Sequence, residues 1–368
     1  MHVMNPATKR LTVCLIVASF FGVGAIWVSA ASAQDPVQDK PPGRTPPRSL
    51  EQIDPERMDP ERMDAEPFRR GGIRSAVSPA AAKSADPLAP SAADFFTRLG
   101  AGLPGVEEGS SSIADVDGQN GPDLLLTGRD SNFDPVATLY LQQPDGSFQP
   151  AGAGLTGLRR GPSSSIADVD GQNGPDLLLT GRDSNFDRVA TLYLQQPDGS
   201  FQPAGAGLTG VEAGSSSIAD VDGQNGPDLL ITGEDSFGDP VATLYLQQPD
   251  GSFQPAGAGL TGVEGGSSSI ADVDGQSGPD LLITGDDSNR NPVATLYLQQ
   301  PDGSFQPAGA GLTGVEDGSS SIADVDGQSG PDLLLTGRDS NFDRVATLYL
   351  QQPDGSFQPA GAGLTGVS

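Results

Sequence analysis

From about Phe95 onward, apolar residues arrive in short bursts divided by glycine, aspartate, serine and glutamine, and no burst keeps the period of an amphipathic helix. Between Ser110 and Gly157 the bursts predict four strands. Ser111–Asp115 is short. Asp123–Thr127 holds three consecutive leucines, the pattern of a strand buried on both faces. Val136–Leu141 is rich in β-branched and aromatic residues, which suit a strand. The P-D-G of Pro144–Gly146 turns the chain, and Ser147–Ala151 around Phe148 makes a fourth, shorter strand. The glycine-rich Gly152–Gly157 then leads onward.

The same pattern returns from near residues 163, 215, 267 and 319, and the nonapeptide D-V-D-G-Q-N-G-P-D that begins at Asp115 recurs with small changes at Asp168, Asp220, Asp272 and Asp324. The spacings are 53, 52, 52 and 52 residues. A fixed period of this length means one supersecondary unit copied several times, each burying a core against its neighbours that it could not bury alone. Four strands per unit, joined by short turns, are the content of a β-propeller blade, so the predicted fold is all-β, a propeller of five four-stranded blades over 95–368. A linear solenoid or a row of small sandwiches is the alternative; a radial arrangement is favoured because it leaves only short, protected edges. Phe96–Val106 (F-T-R-L-G-A-G-L-P-G-V) matches Phe148–Leu158, so one extra N-terminal strand precedes the first copy and could close the ring, although the last copy has its own fourth strand at Phe357.

Lys9 and Arg10 precede an apolar run from Leu11 to Val28, followed by the small residues Ala31-Ser32-Ala33, which predicts a signal peptide over 1–33 cleaved before Gln34 and hence a secreted protein with no membrane span afterwards. An uncleaved anchor is the alternative. Cleavage would remove His2, Cys14 and Trp27, the only residues of their kinds, and with them any disulfide, cysteine nucleophile, Ser-His-Asp triad or His/Cys zinc site. Residues 34–94 are Pro-rich and of low hydrophobicity and read as a disordered linker. Charges nearly cancel there, so the repeat region takes nine Arg against 37 acidic residues, a net of −28. That charge argues against nucleic acid and anionic membranes, and makes a compact domain repel itself unless cations bind.

Alternating aspartates in a tight loop can aim several carboxylates at one centre, as calcium's six to eight oxygen ligands require; the other reading is an acidic turn in which each Asp bonds its own backbone. Three like charges within nine residues, five times over, favour the cation. The run D-V-D-G-x-x-x-P-D-L-L-L-T-G, then L-Y-L, then D-G-S-F resembles the FG-GAP/VCBS family of repeats, found in integrin α-chain propellers and in many secreted bacterial proteins. The resemblance covers Phe95–Ser368 and implies a calcium-stabilised propeller used for adhesion or ligand binding, sometimes as an accessory module of an enzyme. It further implies side-chain ligands at the first, third, fifth and ninth loop positions and a backbone carbonyl at the seventh, here Gly121. The side chains are Asp115, Asp117, Gln119 and Asp123; Asp168, Asp170, Gln172 and Asp176; Asp220, Asp222, Gln224 and Asp228; Asp272, Asp274, Gln276 and Asp280; and Asp324, Asp326, Gln328 and Asp332. The family usually has Asp or Asn where this chain has Gln, and Gly where it has Asn120, Ser277 or Ser329. Gln offers an uncharged oxygen on a longer arm, and Ser tolerates a left-handed backbone poorly.

The copies differ in two places, the junction between them and the loop after the second strand. In an up-and-down blade both emerge on one face, opposite the Asp loops and the P-D-G turns. Every Arg of the copies lies there (Arg129, Arg159, Arg160, Arg182, Arg188, Arg290, Arg338 and Arg344), with Phe133, Phe186, Phe237 and Phe342. One reading is free drift of solvated loops. The other is a ligand face on which planar Arg and aromatic rings hold a carboxylated glycan or an acidic protein. After cleavage the chain has two Lys, Lys40 and Lys83, both in the linker, and no His or Cys, so it reads as a binder and not an enzyme; an accessory or catalytic role in extracellular polysaccharide breakdown is the runner-up.

Overall fold

The computed structural model describes residues 103–360 and Leu364. The predicted signal peptide and linker, and Phe95–Gly102 of the extra N-terminal segment, lie outside the described residues. So does Phe96–Arg98, the stretch equivalent to a fourth strand; Leu103–Val106, its continuation, is irregular.

Twenty strands form five four-stranded antiparallel sheets, each in simple sequence order, and make a five-bladed β-propeller. Blade 1 contains β1 (Glu107–Ala114), β2 (Asp123–Arg129), β3 (Pro135–Gln142) and β4 (Phe148–Pro150). Blade 2 contains β5 (Arg160–Ala167), β6 (Asp176–Arg182), β7 (Arg188–Gln195) and β8 (Phe201–Ala204). Blade 3 contains β9 (Ser216–Ala219), β10 (Asp228–Glu234), β11 (Pro240–Gln247) and β12 (Phe253–Ala256). Blade 4 contains β13 (Ser268–Ala271), β14 (Asp280–Asp286), β15 (Pro292–Gln299) and β16 (Phe305–Ala308). Blade 5 contains β17 (Glu316–Ala323), β18 (Asp332–Arg338), β19 (Arg344–Gln351) and β20 (Phe357–Pro359).

The leucine triplet explains how blades stack. In blade 2, Leu177 and Leu179 pack toward blade 1 against Leu125 and Leu139, while Leu178 points the other way into the core shared with blade 3. A strand buried on both faces therefore needs leucine at every position, and each such side chain contributes about 1.5–3 kcal/mol by leaving water. Cores of this kind fill the seams between blades 1 and 2, 2 and 3, 3 and 4, and 4 and 5.

Polar bonds cross the same seams. The first strands of successive blades meet through serine pairs such as Ser112–Ser164, Oγ to Oγ 2.7 Å, and Ser217–Ser268, 2.9 Å. Tyr193 is buried, and its hydroxyl donates to Thr156 Oγ1 (2.9 Å) and accepts the Thr156 N–H (3.0 Å). The connector between blades is thereby pinned to the next blade, and Tyr245, Tyr297 and Tyr349 hold Thr209, Thr261 and Thr313 in the same way.

Candidate metal loops and ligand face

Each β1-type strand ends in the Asp loop, and the antiparallel register sets the ninth loop residue opposite the strand's last alanine, as in Ala114↔Asp123. Asp123 is fully buried at the start of β2. Its Oδ2 accepts the N–H groups of Val116 (2.8 Å) and Asp117 (3.3 Å), and its Oδ1 accepts the N–H of Gln142 at the end of β3 (2.8 Å). Burial is the main influence on this carboxyl and pushes its pKa up, against the pull of those N–H groups. Asp176, Asp228 and Asp280 are held and shifted alike.

In every blade one oxygen from each of the three aspartates comes within 4.8 Å of the other two. The triads are Asp115, Asp117 and Asp123; Asp168, Asp170 and Asp176; Asp220, Asp222 and Asp228; Asp272, Asp274 and Asp280; and Asp324, Asp326 and Asp332. Among the described residues no Arg pairs with any of them. Backbone bonds of the Asx kind are present too, Gly171 N–H to Asp168 Oδ1 and Gln172 N–H to Asp170 Oδ1, both 2.8 Å. These bonds fix the carboxylates without neutralising them, and a carboxylate oxygen that accepts one N–H keeps a second lone pair. The clusters could hold a metal ion, and an all-oxygen donor set suits a hard cation. The fifth-position glutamines, Gln119, Gln172, Gln224, Gln276 and Gln328, are all exposed.

The sixth position takes the left-handed conformation in every copy, with φ of 60–63° at Asn120, Asn173, Asn225, Ser277 and Ser329. The asparagine has a further job that its local sequence does not reveal. Asn120 Nδ2 donates to the Gln142 carbonyl at 3.1 Å, and Asn173 and Asn225 reach Gln195 and Gln247 at 3.0 Å, tying the loop to the third strand. Ser277 and Ser329 make no such bond among the described residues.

The register confirms that the loops after β2, β6, β10, β14 and β18 emerge with the connectors on the face opposite the Asp loops, as in Glu107↔Arg129 against Ala114↔Asp123. In the first of these loops Asp130 Oδ1 accepts the N–H of Asn132 (2.8 Å) and of Asp134 (2.9 Å), and its carbonyl accepts the N–H of Phe133 (2.9 Å). The turn drives Phe133 to φ 64°; Phe186 sits at 68° and Phe342 at 63°. Blade 3 has Gly238 at this position with Phe237 one residue earlier, and blade 4 has Arg290 at φ 59°. A bulky residue there costs about 1–2 kcal/mol that glycine does not. Packing gives little back: Phe133, Phe186, Phe237 and Phe342 are 60, 59, 87 and 76% exposed, and the contacts two of the rings make are with arginine side chains.

The predicted arginines divide by what they touch. Arg182 and Arg188 both pair with Glu212, which is 2% exposed, and Arg188 also reaches Glu234 at 2.6 Å. They serve the seam between blades. Arg129 pairs with Glu108 (3.0 Å) and lies 5.6 Å from the Phe133 ring centre; Arg338 pairs with Asp317 at 3.4 Å. Arg159 stacks over Phe186 at 4.1 Å. Arg159, Arg160, Arg290 and Arg344 form no ion pair among the described residues.

A group of carboxylates also meets on this face, brought together from separate blades. Asp286 is pushed up to about 7, by burial first and then by the neighbouring carboxylates of Glu316, Glu264 and Asp317. Glu264 is raised by burial and by Glu234. The signal was present in the junction pairs, but their meeting across blades was not.

No family model matches the chain, and no curated protein matches it. Solved structures similar to it include a lectin from Agrocybe aegerita whose structure concerns recognition of non-reducing terminal N-acetylglucosamine, at 18% identity and TM-score 0.43 over 69% of this chain and 65% of that one. A rhamnogalacturonan lyase is similar at 18% identity and TM-score 0.41, over 70% of this chain and 51% of that one. The six-bladed, fucose-recognising lectin of Aleuria aurantia is similar at 8% identity and TM-score 0.26, over 71% of this chain and 96% of that one. The chain thus spans less than two thirds of the length of the first two. No helix among the described residues is long and apolar enough to cross a membrane.

Proposed function

We propose that the chain is a secreted propeller of the FG-GAP/VCBS type, stabilised by calcium in its Asp loops, that acts by binding an extracellular glycan on the opposite face. The observation that carries the binding role is the placement of Phe133, Phe186 and Phe342 at left-handed positions with their rings in solvent. Strain that packing offsets only in small part is expected where a side chain is kept for a ligand. An exposed ring offers a flat apolar surface to the C–H face of a sugar, and the unpaired forks of Arg160 and Arg344 suit a uronic carboxylate. Glutamate and aspartate neighbours keep the face from becoming a general anion trap.

For the loops, the three aspartates of each blade would hold calcium, which supplies charge neutralisation where the fold has crowded carboxylates. Asp123 and its counterparts position the loop against β2 and β3; Asp115 and Asp117, and their counterparts, contribute the outer oxygens. The departure at Gln119 leaves each site less charged and suits calcium at extracellular concentration.

The test is an array of neutral and uronate-bearing oligosaccharides probed with the protein and with a Phe133→Gly, Phe186→Gly, Phe342→Gly variant. Retention of binding by the variant rejects the face. One observation favours the runner-up: Asp286, with its high pKa beside Glu316, has the environment of a general acid. A hydrolase and lyase screen with Asp286→Asn as control decides that reading.

A further inference from the structure

The four internal seams share one plan, and the two ends of the blade series carry its unmatched halves. In each seam the valine of one blade's Asp loop is buried against the next blade: Val116, Val169, Val221 and Val273 are 2–3% exposed. A glutamine from the next blade's third strand donates to that valine's carbonyl, Gln195 to Val116 at 3.0 Å, Gln247 to Val169 at 2.9 Å, Gln299 to Val221 at 2.8 Å and Gln351 to Val273 at 2.9 Å. Blade 5 has the same valine, Val325, and it is 60% exposed. Leu334 and Leu348, on the same side of blade 5, are only half-buried, where Leu178 and Leu192 are fully buried in blade 2. Blade 1 carries the complement. Leu124, Leu126 and Phe148 are half-buried, although their counterparts in blades 2 to 4 are buried, and among the described residues Gln142 reaches no valine carbonyl.

The connectors carry the same message. Tyr140 of blade 1 corresponds to the tyrosines that hold a connector threonine, but the connector before blade 1 has Pro104 at that place, with neither N–H nor hydroxyl to offer. The matching threonine occurs in the sequence after blade 5, A-G-A-G-L-T-G-V over 360–367. Blade 1 is therefore made to follow a blade such as blade 5.

We propose that the outer face of blade 5 docks on the outer face of blade 1 of a second copy of this chain, repeating the internal seam between molecules. The occupant is a second copy because the five-blade series leaves Val325 exposed, so its own blade 1 does not cover it. Such a contact is heterologous, with different surfaces on the two partners, and it propagates head to tail unless the rotation closes.

The experiment is sedimentation of the full chain over a wide concentration range, with Val325→Arg and Leu124→Arg as separate variants and as a mixture. Wild-type protein should associate with rising concentration, each variant alone should stay monomeric, and the mixture should form a heterodimer and go no further, because one intact pair of faces remains. A wild-type protein monomeric throughout, whether closed on itself or capped by its own terminal segments, overturns the proposal, as does a mixture that stays monomeric. A measurement that needs no variant is amide exchange on the wild type. Exchange around Val325 and Leu124–Leu126 should slow as concentration rises while exchange in the internal seams does not change; no concentration dependence at either face overturns the proposal.

Discussion

The two faces of the propeller spend the same kinds of residue in opposite ways. On the Asp-loop face most left-handed positions go to residues that ease the strain or use it: Gly118 and Gly121 at φ 69 and 120°, and the asparagines of blades 1 to 3 that bond back to the third strand, with Ser277 and Ser329 the exceptions. Its carboxylates, though unpaired with Arg among the described residues, are mostly fixed by backbone N–H groups, as at Asp123, Asp117 and Asp168. The opposite face puts phenylalanine at the same kind of left-handed position, leaves the ring in water, and lets acids meet acids, as at Asp286 and Glu316. One face gathers carboxylates that could hold a cation. The other tolerates cost in a manner that a ligand would explain. Loops at a sheet end are therefore better judged by what their strain returns than by their variability alone.

The comparison breaks most sharply at Asp123. Replacing it with Ala orphans the buried N–H of Val116 and the half-buried N–H groups of Asp117 and Gln142, and at about 1–3 kcal/mol for a buried group and less for the other two the loss in chemical unfolding should be about 3 kcal/mol, while ligand binding by the surviving fold remains. Calcium comes next. At a hundredfold excess over its dissociation constant it should add about 2.7 kcal/mol per site, read as a rise in melting temperature that chelator reverses and magnesium does not reproduce.

A pH effect belongs to the other face. Asp286 in the fold holds its proton up to about 7, well above its ordinary value, so the folded state binds more protons than the unfolded state between those limits. Its contribution is fully present below the ordinary carboxylate range and is lost as pH rises through about 7. Denaturation midpoints measured in chelator should fall across that window, and Asp286→Asn should flatten the slope. The smallest effect is Ser277→Asn, which restores the cross-strand bond and relieves the backbone, for about 0.5–1 kcal/mol gained.

Features whose partners are close in sequence were readable from it. The leucine triplet gave the strand buried on both faces, the repeat gave the blade, and aspartates two and eight positions apart gave the carboxylate cluster that could hold a metal ion. What escaped depends on neighbours brought together by the ring. Gln195 finds the Val116 carbonyl 79 residues away, and Tyr193 finds Thr156 at 37. Arg182 and Arg188 read from sequence as ligand-face residues, yet both are engaged by the buried Glu212 of the next blade. The strain at Phe133 was invisible because nothing local to an S-N-F-D stretch fixes its φ until Asp130 folds back over it. Blade 3 shows the alternative in the chain's own sequence, Phe237 followed by Gly238.

The division of labour between the faces is tested most directly by one variant measured twice. Phe133→Gly, Phe186→Gly and Phe342→Gly together remove three strained positions and three exposed rings while leaving every Asp loop untouched. The melting temperature with and without calcium and the binding of array-selected glycan are then compared with the parent. The account predicts a melting temperature equal or higher, an undiminished calcium shift, and loss of glycan binding; glycan binding that survives intact would contradict it.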